Sequence, residues 1–152
     1  MYKLSVPLEK QQKNSTCWHA SALMIWRYSQ QVSGRAGPMN TLSNKWTINE
    51  TITPQEFINL AKKVGLTTVP NVQNNFTASI LETLLKSWGP LWCAGQWYGV
   101  GHIIVLTGVG DGLVYLNDPD GGKPKTGSIK WFNEKLDSHI VGCLMAKNPN
   151  RY

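Results

Sequence analysis

The sequence predicts an α+β domain in which a central N-terminal helix packs against a mostly antiparallel β-sheet. Three observations lead there. Helical signals crowd the first 90 residues, and strand-like runs bounded by Gly, Asp and Pro fill the remainder. Helices first and strands after is the pattern of an α+β domain. Residues 17–29 are too apolar and too long for a strand, and they are apolar nearly all round. A helix of that kind is buried at the centre of its fold.

Taken in order, residues 2–8 are short and mixed, a strand or an arm laid over the domain. In the central helix, Trp18, Ala22, Ile25 and Trp26 share one face, and Ala20, Leu23 and Met24 cover most of the rest. Ser15 or Thr16 is placed to cap it, which puts Cys17 in its first turn. Residues 30–53 are polar and aperiodic, a connection long enough that it either moves or shapes a cleft. A second helix covers 54–65, with Thr53 as N-cap, Pro54 at the first helical position and Gly65 at its end. A third runs from Thr77 to Trp88, with Ile80, Leu81, Leu84 and Leu85 on one face and Gly89-Pro90 as a stop. Strands are expected over 91–98, 102–109, 113–118, 128–132 and 139–146. No internal repeat is present.

With 152 residues the chain reads as one domain spanning 1–152, large enough for a single core. Its 41% hydrophobic and 10% aromatic content excludes intrinsic disorder. The net charge of +6 comes from scattered basic residues, not from a stripe interleaved with aromatics. That argues against nucleic acid and toward an acidic protein partner. Three cysteines without a CxxC pair point away from a disulfide framework or a zinc site, and toward a reducing compartment. Cys93 and Cys143 lie in apolar runs and read as small buried hydrophobes. No apolar run is long enough to span a bilayer and no signal peptide is recognisable, so no membrane role is expected; the chain is separately expected to be a monomer.

Chemistry gathers around Cys17. A thiol in the first turn of a rigid helix sits at the positive end of the helix dipole, which favours thiolate. A thiol nucleophile needs a base, and that base needs a group to orient it. His19 follows Cys17 by two, a spacing at which helical side chains do not face each other. His139 has no acid placed to orient it. His102 follows Gly101 and opens the most apolar run of the chain, at the mouth of a sheet. Asp118, at the end of the next strand, is the candidate orienter. Pairing parity tests it. A two-residue Asp111-Gly112 turn would set Asp118 opposite Val105, whereas an odd loop centred on Gly110 would set it directly across from His102. The odd loop is expected, with Asn117 on the other face. Trp92, Trp97 and Tyr98, just before His102, either wall the cleft or pack core and rim.

Three short patches carry a resemblance: Gln11, five residues, then Cys17-Trp18; Gly101-His102-Ile103-Ile104-Val105; and Leu116-Asn117-Asp118-Pro119. In type and order they resemble papain-like cysteine peptidases, and more nearly the bacterial C39-type peptidases and C70-type effector proteases. Plant papains instead carry Cys-Gly-Ser before the Cys-Trp and an Asn as third member. The resemblance implies a papain-like fold, with Cys17 as nucleophile, His102 as general base and then acid, and Asp118 as its orienter. It implies an oxyanion hole from the Cys17 N–H and Gln11, favoured over Gln12 by spacing within the family motif. Trp18, Trp97 and Tyr98 become the candidate substrate-binding residues. No cofactor or metal is implied.

The function expected from this is hydrolysis of a peptide bond in a protein substrate. The alternatives are an amidase, deamidase or peptidoglycan peptidase with the same three residues, or a catalytically silent papain-like binding module. Cys17 follows only sixteen residues, too few for a covering pro-segment, so restraint is expected from outside. That suggests an effector or toxin, secreted or translocated into a target cell's cytoplasm, and held in check by an acidic inhibitor or immunity protein.

Overall fold

The structure, a computed structural model, describes residues 1–12, 16–34 and 53–147. Its elements in chain order are β1 (Tyr2–Lys3), α1 (Cys17–Ser33), α2 (Pro54–Lys63), β2 (Leu66–Thr68), α3 (Ala78–Trp88), β3 (Leu91–Gly95), β4 (His102–Gly110), β5 (Leu113–Asp118), β6 (Lys123–Ser128), α4 (Ile129–Lys135) and β7 (Leu144–Lys147). The strands form one sheet in the order β2-β7-β3-β4-β5-β6, with β1 added alongside β4. Every pairing is antiparallel. Mixed helices on an antiparallel sheet are the predicted α+β class. No helix of the described residues is long and apolar enough to cross a membrane.

Helix α1 is the central element. Cys17, Trp18, Ala20, Ser21, Ala22, Met24 and Ile25 are buried along it, and it packs against β3, β4, β7 and α2. Two bonds fix its first turns to the sheet. The Trp92 indole N–H donates to the Trp18 carbonyl at 3.1 Å, and Ser21 Oγ lies a long 3.5 Å from the Ile103 carbonyl. Strand β4 is buried from Ile103 to Gly110. Coverage on both faces explains why its sequence is continuously apolar instead of alternating.

The expected N-cap holds for α2, whereas α3 starts one residue later than expected, with Thr77 as its N-cap. Thr53 and Glu56 form a reciprocal capping box with Pro54 at the start, and Thr77 accepts from the Ile80 N–H. Of the two expected cap residues of α1, Thr16 occupies the N-cap position and makes no side-chain cap bond. Ser15 and the segment 35–52 lie outside the described residues.

Two strand expectations need correction. Residues 128–132 are not a strand. β6 ends at Ser128, whose side chain accepts from the Trp131 N–H at 2.9 Å and starts α4. A serine that caps, followed by an apolar run, signals a helix start as readily as a strand. Within 139–146 only Leu144–Met145–Ala146 is extended, continuing to Lys147, because residues 137–143 turn back through bonds such as Ile140 N–H to the Asp137 carbonyl.

The β4–β5 loop is also not odd. It is a two-residue turn with Asp111 at φ 55° and Gly112 at φ 75°. Both central residues at positive φ is the type I′ hairpin geometry that suits the twist of flanking strands. Val109 pairs with Val114, but beyond Thr107 the register slips by one, so Leu106 pairs with Leu116 and Val105 with Asn117. Thr107 is the extra residue of a β-bulge.

Candidate active site

The bulge decides which face Asp118 meets. Without it, Asp118 would lie opposite Val105 and point away from His102. With it, the register carries on to set Asp118 opposite Ile104, on the same face as His102 and two positions along. Such diagonal neighbours are within reach of long or aromatic side chains. Accordingly His102 Nε2 lies 2.7 Å from Asp118 Oδ1. Asn117 points to the other face, where its side-chain amide donates to the Val6 carbonyl at 3.1 Å. The sequence expectation of facing partners was right about the contact and wrong about the register that makes it.

Cys17 arrives from the opposite direction, as the first residue of α1, and its side chain interacts with His102. It is sunk below the surface at 1% exposure. The His102 side chain is 11% exposed and that of Asp118 1%. Burial alone would make His102 harder to protonate. Its bond to Asp118 and its interaction with Cys17, with their charges, outweigh that and raise its pKa to about 9. Burial likewise works against the Asp118 carboxylate, yet bonds from His102, Lys125 and the Asp120 N–H hold it below the usual range.

The N-terminal arm brings Gln11 to the same corner. Beyond β1, the Leu4 N–H donates to the Thr107 carbonyl at 2.8 Å, the Asn117 amide holds Val6, and Glu9 pairs with Arg27 of α1. The arm ends with the Gln11 N–H donating to the Pro119 carbonyl at 2.8 Å, next to Asp118. Gln11 is half-buried there and Gln12 is exposed.

Of the three candidate substrate-binding aromatics, only one offers surface. Trp18 and Trp97 are buried at 2% and 1%. Trp97 stacks on Phe132 and donates its indole N–H to the Cys93 carbonyl, so it belongs to the core. Tyr98 is 48% exposed and its ring centre lies 6.3 Å from that of His102. Of the other histidines, His19 sits edge-on to Trp18 and is made harder to protonate by burial. His139 lines a separate concavity with Asn133 and Asp137. Cys93 and Cys143 are free, wholly buried thiols. Burial, then the Asp137 charge, pushes Cys143 up to about 12, and burial raises Cys93 as well. Among the described residues no group of three or more His, Cys, Asp or Glu is placed to hold a metal ion.

One residue of this corner was missed from sequence. Lys125 Nζ lies 2.6 Å from Asp118 Oδ2 and 4.5 Å from the centre of the Tyr98 ring. Residues 123–128 did not read as a strand, and only strand alternation would have placed Lys125 on the Asp118 face.

A helix-start cysteine beside a histidine that a buried carboxylate holds, on an α+β scaffold, defines a cysteine hydrolase of papain-like architecture. The model of the peptidase C70 family, described as papain-like cysteine protease AvrRpt2, matches residues 1–137. The chain belongs to that family and is a papain-like cysteine peptidase. Among solved structures it is similar to a double glycine motif protease from an AMS/PCAT transporter, determined in complex with the leader peptide. That likeness has a TM-score of 0.57 at 19% identity, and covers 95% of this chain and 92% of the other. A comparison with curated proteins finds no match.

Proposed function

We propose that the chain hydrolyses a peptide bond in a protein substrate through Cys17, His102 and Asp118. The observation that carries this is the continuous contact from the Cys17 thiol through His102 to the 2.7 Å bond with Asp118. With Nε2 taken by Asp118, the other ring nitrogen is the one left to serve the thiol. The Cys17 sulfur, as thiolate, attacks the scissile carbonyl carbon. The imidazolium of His102 then gives its proton to the leaving amine, and a thioester at Cys17 remains. His102, now neutral, takes a proton from water, whose oxygen attacks the thioester and frees Cys17. Asp118 orients the ring and stabilises its cationic form throughout.

The oxyanion of each tetrahedral intermediate would be met by the Cys17 backbone N–H, one of the helix-start donors with no carbonyl a turn earlier. The second donor in this reading is the Gln11 side-chain amide, supported by its half-buried position beside Pro119 and by the exposure of Gln12. Likeness of fold to a protease solved with a leader peptide supports a protein or peptide as substrate.

The test is covalent. An electrophilic peptide probe should label Cys17 in the wild type and nothing in Cys17→Ala. That variant should stay folded, with a melting temperature lowered by a few degrees as the partner of the His102 proton is lost, and lose at least about a thousandfold in turnover. More than a few per cent residual activity would sink the mechanism. Gln11→Ala should fold normally and lose roughly 10²–10³ in kcat, the scale of one oxyanion donor. An unchanged kcat would pass that role to another group. Release of new amino termini from proteins, instead of ammonia from side-chain amides or fragments from muropeptides, separates the peptidase from an amidase or cell-wall enzyme.

We further propose that the enzyme acts as a translocated effector inside a target cell. Support comes from the resemblance of its motifs to effector proteases and from the +6 charge, which would draw an acidic inhibitor over the cleft. Wild-type expression in a target cytoplasm should then arrest growth and Cys17→Ala should not. Harmless wild-type expression in both bacterial and eukaryotic cytoplasm would remove this role and leave a processing peptidase.

A further inference from the structure

The second oxygen of Asp118 has a partner of its own. β5 and β6 pair with Leu116 opposite Lys125 and Asp118 opposite Lys123. Lys125 therefore shares the Asp118 face and lies diagonal to it, as His102 does from β4. The buried carboxylate is flanked by one cationic group from each neighbouring strand. Oδ1 accepts from His102 Nε2 at 2.7 Å and from the Asp120 N–H at 3.0 Å, and Oδ2 accepts from Lys125 Nζ at 2.6 Å.

Lys125 is not a free surface lysine that happens to reach inward. Its ammonium lies over the Tyr98 ring at 4.5 Å, in cation–π range. Tyr98 in turn leans on Trp131, ring centres 6.0 Å apart. Trp131 lies against the bare backbone of Gly127, where a Cβ would collide with the indole. The side chain is thus confined between an aromatic ring and a carboxylate.

We propose that Lys125 is a positioning residue of this peptidase: by sharing the Asp118 carboxylate with His102, it tempers the negative charge felt by the imidazolium and so sets the upper pH limit of the Cys17–His102 pair. The inference rests on the Cys17–His102–Asp118 reading. The groups that face His102 are Cys17 from α1, Asp118 from β5 and Tyr98 from the β3–β4 loop. Lys125 and Asp120 act on it through Asp118. A carboxylate left to one cation would hold the His102 proton more firmly. That would make the imidazolium a poorer acid toward the leaving amine. Oδ1 keeps both of its donors when Lys125 is removed, so charge and not loss of alignment governs the outcome.

The experiment is a titration of the His102 ring by NMR in the whole chain. The chain has three histidines, so the His102 signals are assigned by their loss in His102→Gln. In the wild type the ring should titrate near 9. Lys125→Met keeps the length of the side chain and its contact with Tyr98. It should move the midpoint up by roughly 0.5–1 pH unit, a like-charge effect reduced by the partial exposure of Lys125. Lys125→Arg should return it to within about 0.2 unit of wild type, because the cation is restored. An unchanged or lowered midpoint in a folded Lys125→Met variant overturns the inference. A wild-type midpoint near 6.5 that Asp118→Asn does not move would instead overturn the reading of the three residues on which it rests.

Discussion

His102 is pulled in two directions, and the outcome sets the conditions under which the enzyme can work. Burial removes water from the ring and favours its neutral form. The Asp118 carboxylate and the Cys17 side chain favour the cation more strongly, and the balance lies at about 9. If the working state is a thiolate beside an imidazolium, activity must fall once that proton leaves. The basic limb of kcat/KM should therefore lie near pH 9, not near the 6.5 of an unperturbed imidazole. Asp118→Asn removes the carboxylate charge and keeps the shape of the side chain. Its basic limb should move toward lower pH as kcat falls. Peptide hydrolysis followed from pH 5 to 10 checks both, and a limb that stays put in Asp118→Asn would mean that Asp118 does not govern His102.

At the scale of elements, the site depends on two local features of the chain, a bulge and a cap. The bulge at Thr107 turns Asp118 toward His102. Thr107 looks like any other residue of an apolar strand, so counting from the Asp111-Gly112 turn could not reveal it. The helix start at Cys17, the strand opening at His102 and the Asp-Pro at 118–119 were legible because each has a local chemical reason. Lys125 was not, because Lys-Pro-Lys-Thr-Gly-Ser pairs as an edge strand through its neighbour and not through any preference of its own. The cap is Ser128, which ends β6 and begins α4 by accepting from the Trp131 N–H. Ser128→Ala should cost about 1 kcal/mol of stability. Since the lost bond holds the residue that supports Tyr98, tryptophan emission should also change. Urea unfolding measures the first effect and fluorescence the second, and a variant as stable as wild type would show that the cap is dispensable.

For the molecule as a whole, the same proton that serves the chemistry should appear in the stability of the fold. His102 binds its proton more tightly when folded, with a midpoint of about 9 against 6.5 when unfolded. A raised folded value stabilises fully below pH 6.5 and is lost as pH climbs through about 9. Asp118 has the opposite sign. Its folded value is depressed from 3.8, so its contribution is present above that pH and disappears on acidification. The pair therefore predicts greatest stability between about pH 4 and 6.5, with a decline on the alkaline side that belongs to His102. The difference between 6.5 and about 9 corresponds to at most ~3 kcal/mol. For a domain of 152 residues that is a fall in melting temperature on the order of 5–10 °C between pH 6.5 and 9.5. His102→Gln cannot gain or lose this proton. Its melting temperature should start lower at pH 6.5 and run nearly flat where the wild type declines, so that the two curves converge above pH 9. Parallel curves across that range would show that His102 is held by shape alone, without the charge coupling to Asp118 and Cys17 on which the proposed mechanism depends.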